Sequence, residues 1–139
     1  MKNFIIGFLI TIFASVNTFA DDFMDSSELR AKDGLVYKGE ASLPFTGIMH
    51  NNNEEDEQFG MFTFKDGILH GLVETYWNIE RDVRSRGYAV NGDRSGTIEF
   101  FDKEGRLELI QTFKNDVLHG ASMHFDEKGV LRLVDYYYD

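Results

Sequence analysis

Residues 64–77 read FKDGILHGLVETYW, and residues 113–126 read FKNDVLHGASMHFD. Between them, residues 88–102 (YAVNGDRSGTIEFFD) carry a third version of the same design. Gly71, Gly96 and Gly120 stand 25 and 24 residues apart, and an aromatic follows each by five: Tyr76, Phe101 and Phe125. A second aromatic series, Phe64, Tyr88, Phe113 and Tyr137, recurs at 24, 25 and 24. Gly105 and Gly129 repeat at 24, and Gly47 lies 24 before Gly71, which marks a degenerate first copy over residues 43–64. A fixed period of this length is the signature of a repeat array.

Each unit reads as two strands. The first strands are expected at 72–77, 97–101 and 121–125, and the second at 83–88, 106–113 and 130–138. Turns fall at 78–82, 102–105 and 126–129. Between units lie Asp66-Gly67, Asn91-Gly92 and Asn115-Asp116, pairs that tolerate the positive φ of two-residue hairpin turns. Thirteen Phe, six Tyr, thirteen Gly and a single Pro (Pro44) make an all-β composition. The expected fold is an antiparallel meander of tandem β-hairpins, an elongated or curled single sheet. The recurring aromatics are expected to occupy equivalent pleats and to pack as a ladder along one face. Arg81 and its neighbours stand where other units place a turn glycine, so that turn must be built differently.

Residues 1–20 read as a signal peptide. Lys2 precedes an apolar run at 4–16 (FIIGFLITIFASV), and Thr18-Phe19-Ala20 supplies the cleavage signature. Thirteen residues make a helix of about 20 Å, and a bilayer core needs about 30 Å, so insertion in a membrane is not expected after cleavage. Residues 21–34 form an N-terminal segment and residues 35–139 the repeat domain. Export would place the protein in the periplasm or outside the cell. No Cys occurs, so neither a lipid anchor nor a disulfide framework is expected. Fourteen basic and 24 acidic residues give a formal charge of −10, which becomes −11 once Lys2 is removed. A chain this acidic repels nucleic acid and anionic surfaces.

The pattern aromatic-Lys-Asp/Asn-Gly-x-Leu-His-Gly, then four residues and a further aromatic, resembles the MORN repeat, and most closely its bacterial variant form. The stretch LRAKDGLVYKGEASLPFTGIM at 29–49 resembles the opening of those variant proteins, and the likeness extends over roughly residues 29–138. The resemblance implies a β-hairpin array. It also carries the label of antitoxin component given to some relatives, and the scaffolding and phospholipid contact of eukaryotic arrays.

No nucleophile motif and no metal-ligand spacing is present, so neither catalytic residues nor a cofactor is expected. His70 and His119 share a Leu-His-Gly setting, with Ser95 in the equivalent place between them. They would lie roughly 19 Å apart at about 4.8 Å per strand, too far to share a metal. His50 and His124 have no ligand-like spacing. Glu74 and Glu99 occupy equivalent strand positions; they read as solvated face residues, with a carboxylate pair across repeats as the alternative. The run Asn51-Asn52-Asn53-Glu54-Glu55-Asp56-Glu57 reads as an exposed acidic loop, and Glu54, Glu55, Asp56 and Glu57 are candidates for meeting a basic protein. Tyr76 and Trp77 should point to opposite faces of one strand, one in the core and the other packed, or exposed as a docking anchor or sugar platform. The last strand carries apolar residues on both faces, including Tyr136 and Tyr138. Its open edge is a candidate for β-augmentation by a partner strand or by a second copy. The sequence therefore points to an exported, non-enzymatic repeat protein that binds a protein partner. The alternatives are an immunity or antitoxin-like protein with one dedicated toxin, and a glycan-binding module.

Overall fold

The computed structural model describes residues 23–53 and 58–138. The expected signal peptide at 1–20 and the acidic run at 54–57 lie outside the described residues. The chain is all-β. Strands β4 (Gly47–Asn53), β5 (Gln58–Lys65), β6 (Ile68–Tyr76), β7 (Val83–Val90), β9 (Gly96–Phe101), β10 (Leu107–Lys114), β11 (Val117–Phe125) and β12 (Leu131–Tyr137) pair antiparallel in that order. The two-residue β8 (Asp93–Arg94) pairs with β7. At the opposite end from β12, β1 (Phe23–Asp25) adds parallel to β4. Strands β2 (Leu29–Lys32) and β3 (Leu35–Lys38) form a separate hairpin. Among the described residues the meander is open, with β12 and β1 as its two ends.

The turns between units behave as their residue types require. Asp66 and Gly67 have φ of 50° and 79°, Asn91 and Gly92 53° and 98°, and Asn115 and Asp116 50° and 66°. The repeat glycines serve a second purpose. Gly47, Gly71, Gly96 and Gly120 all have positive φ, at 155°, 119°, 80° and 93°. Gly71 and Gly120 lie inside bulges, where the pairing passes from Phe62↔Val73 to Phe64↔Leu69 and from Gln111↔Ser122 to Phe113↔Leu118. Each bulge lets the turn hairpin bend away from the long strand that follows. The bent turns then bond to the unit before: Gly67 N–H donates to Phe45 O (2.7 Å), Gly92 N–H to Leu69 O (2.8 Å) and Asp116 N–H to Arg94 O (3.1 Å). These bonds step along the chain at the repeat period.

At the other end of the units, one side chain organises each turn. The Asp102 carboxylate accepts from the amides of Glu104 (3.0 Å) and Arg106 (2.9 Å), and Asp126 accepts from those of Lys128 and Val130 (both 2.9 Å). These amides, with Arg106 and Arg132 beside them, hold both carboxyls below the usual range. In the longer first turn Asn78 accepts from Asp82 N–H (3.1 Å), and Arg81 takes φ +69° in place of a glycine. That is the different construction its sequence required.

Directly opposed residues share a face, so the register sorts the side chains. Met49, Phe62, Val73 and Gly87 face one way, as do Ile98, Gln111, Ser122 and Asp135. This face holds most of the core: Met24, Ala89, Ile98, Phe113 and Ser122 are buried on it. Gly87 makes room there for Ile98, whose side chain would lie 2.7 Å from an added Cβ. Phe45, buried ahead of β4, packs against Phe64 with ring centroids 6.1 Å apart.

The aromatic series differs from its expected arrangement. Phe64, Phe113 and Tyr137 lie on the core face, but Tyr88 pairs with Leu72 on the other and is 58% exposed. Ala89, 2% exposed, holds the equivalent place. In this unit two residues lie between the aromatic and the turn residue Asn91, against one before Asp66 and one before Asn115. A one-residue slip reverses every side chain of a strand. Tyr76, Phe101 and Phe125 do share the opposite face, but only Tyr76 is buried; Phe101 and Phe125 are half-buried.

Candidate functional site

The β12 edge gathers the exposed apolar surface. Leu131, Leu133, Tyr136 and Tyr137 within the strand, and Val130 and Tyr138 beside it, are all large, apolar or aromatic, and exposed. Tyr136 and Tyr138 stack at 6.5 Å between ring centroids and are 63% and 81% exposed. Among the described residues β12 has only β11 as a neighbour. Asp126 N–H donates to Val130 O (3.0 Å), which fixes the alternation of the ladder. Counted across the bulge between His124 and Phe125, the amides of Leu133, Asp135 and Tyr137 turn toward β11. Those of Val134 and Tyr136 face outward. Of the two charges of the strand, Arg132 bonds to Asp126 (2.7 Å), and Asp135 lies 4.0 Å from the His124 imidazole, beyond hydrogen-bond distance. The sequence-derived candidates Tyr136 and Tyr138 therefore sit together on an open strand edge.

Trp77 occupies a different place. Strand β6 ends at Tyr76, which is 6% exposed, and the chain bends at Trp77, whose N–H donates to Asp82 O (2.8 Å). The indole N–H reaches Phe101 O (3.1 Å), so the half-buried ring ties the end of β6 to β9. The Arg84 guanidinium lies 4.8 Å and the Lys103 ammonium 5.6 Å from the ring centroid. Phe59, Tyr76, Ile79 and these three residues line an open cavity of about 490 Å³. Two cations already lie over the ring that a sugar would need for stacking. Tyr76 donates to Glu74 (3.0 Å). Burial first, and then that hydrogen bond, push its pKa up to about 12.

Glu74 and Glu99 do not face each other. Arg86 on β7 lies in register between them, opposite Glu74 on one side and Glu99 on the other, and its Nε is 2.9 Å from Glu74 Oε1. The sequence pattern placed the acids on equivalent strands, and the register of β7 sets Arg86 between them. His70 accepts from Asn91 N–H (3.4 Å) at the next turn, a repeat-packing position. Among the described residues no group of three His, Cys, Asp or Glu side chains is placed to hold a metal. Ser122, His124 and Asp135 come together on β11 and β12, an arrangement that no sequence motif announces. Yet Ser122 is 1% exposed, and its Oγ has no hydrogen-bond partner among the described residues, His124 included. No helix among the described residues is long and apolar enough to cross a membrane.

No protein-family model, curated protein or solved structure matches this chain.

Proposed function

We propose that this chain is an exported, non-enzymatic repeat protein of the bacterial MORN-variant kind, and that it binds a protein strand along the edge of β12. The carrying observation is the coincidence of two properties on one strand. Val134 and Tyr136 turn backbone donors and acceptors outward, and Tyr136 and five neighbouring large side chains are exposed around them. An unpaired edge with apolar flanks is a template for another strand, because backbone bonds supply affinity and alternate side chains supply selectivity. The side chains that commonly blunt such an edge are weakly represented here. Arg132 and Asp135 are the only charges on β12, and Arg132 is bonded to Asp126 within the chain.

Amide hydrogen exchange on the dilute protein tests this reading. The amides of Val134 and Tyr136 should exchange orders of magnitude faster than those of Ile98 and Phe100 in the central strand β9. Equal protection in the two strands would mean that the edge is already covered, and the reading would be abandoned.

A further inference from the structure

We infer that the strand received by β12 is β12 of a second copy, paired antiparallel about a two-fold axis at Tyr136. This rests on the reading of β12 as an open edge, and it commits that edge to one occupant. The first support is charge. The chain carries −10 overall, which would draw a basic partner, but the edge itself presents one Arg, bonded to Asp126, and one Asp, so its own charges balance. Its free surface is apolar and aromatic, a surface that complements itself.

The second support is the register. An antiparallel mate must set outward amides against outward amides. For two copies of β12 this allows an axis at Val134, Asp135 or Tyr136. An axis at Asp135 would place two carboxylates directly opposite, which is destabilising in a cross-strand pair. An axis at Val134 would carry the pairing into the irregular stretch between Leu131 and Leu133. An axis at Tyr136 stays clear of both. It sets Val134 against Tyr138, Asp135 against Tyr137 and Tyr136 against itself. The stacked Tyr136–Tyr138 pair, the most exposed aromatic surface of the edge, is then covered by its own image. The third support is continuity, because the pairing extends the antiparallel order that runs from β4 to β12. Isologous two-fold contacts are the commonest way for a chain to meet itself.

The chain has no Cys, so single-cysteine variants give a direct test. Tyr136→Cys should cross-link to a homodimer with a bismaleimide short enough to join only facing residues. Val134→Cys should not, because its two copies would be offset by roughly 13 Å along the strands. Sedimentation equilibrium of the unmodified protein should show the mass rising to twofold with concentration. Added salt should favour the dimer, because it screens two acidic chains. Val134→Pro, which removes an outward donor, should leave a monomer with the far-UV circular dichroism of the parent. A single-chain mass at every concentration, with Val134 and Tyr136 amides exchanging freely, would overturn the dimer and leave the open edge for a different protein. Cross-linking through Val134 and not Tyr136 would overturn the register. Protected amides in the monomer would remove both the dimer and the functional reading beneath it.

Discussion

Gly71 and Gly120 occupy the same place in two units, and replacing each by Ala should separate two costs that the repeat glycine avoids. At Gly120, φ is +93° and an added Cβ would meet Thr112 at 3.7 Å, an ordinary contact. Gly120→Ala should therefore cost only backbone strain, about 1–3 kcal/mol. At Gly71, φ is +119° and the same atom would lie 3.0 Å from Thr63 Cγ2 and 3.1 Å from its Cβ. Thr63 cannot easily rotate away, since its hydroxyl donates to Leu72 O at 2.8 Å. Overpacking adds about 1–3 kcal/mol, so Gly71→Ala should cost roughly 2–6 kcal/mol. Thr63→Ser removes Cγ2 and keeps the hydroxyl, and in that background the excess at Gly71 should shrink. Urea unfolding followed by far-UV circular dichroism and by the fluorescence of Trp77, the single tryptophan, would measure the parent, the three single variants and the double variant. Equal costs at the two glycines would refute the steric part of this account. Costs under about 0.5 kcal/mol at both, the range of featureless surface substitutions, would refute the conformational part.

The register of β7 predicts a contrast between neighbours: Tyr88→Ala should change stability by no more than about 0.5 kcal/mol, and Ala89→Tyr should destabilise by about 1–3 kcal/mol through overpacking, both by denaturant titration. Tyr76 predicts a loss of stability in alkali. Its folded pKa of about 12 exceeds the ordinary value near 10, so the folded state holds the phenol proton more tightly. This contribution is complete below about pH 10 and disappears as pH rises through 12. The phenolate absorbance difference between the parent and Tyr76→Phe should show a tyrosine ionising near 12, and one ionising near 10 would contradict the buried hydrogen-bonded assignment.

The period, the strand alternation and the turns were legible in the sequence because each has a local cause. Asp66-Gly67, Asn91-Gly92 and Asn115-Asp116 adopt positive φ in the structure, and few other residue types do so cheaply. Strands bounded by such turns can only fold back on one another, and so the meander followed from the chain. The recurring Gly showed that something in each unit needed glycine, but its reason, a bulge that bends the turn back onto the preceding unit, is a matter of tertiary pairing. The same holds for Tyr88. Spacing alone put it in line with Phe64 and Phe113, whereas one extra residue before its turn reversed its face. Glu74 and Glu99 matched in sequence, and only the intervening strand brought Arg86 between them. Trp77 is legible in the sequence as an aromatic next to a turn, and the packing of β7 and β9 lays Arg84 and Lys103 over its ring. The apolar character of the last strand was visible from the start. Which of its amides face outward was not, because that depends on the hydrogen bond from Asp126 to Val130 and on the bulge beyond it. Local chemistry fixes where a chain turns and which residues alternate. Which strand lies beside which, and in what register, is decided only when distant segments meet, and there a shift of one residue exchanges core for solvent.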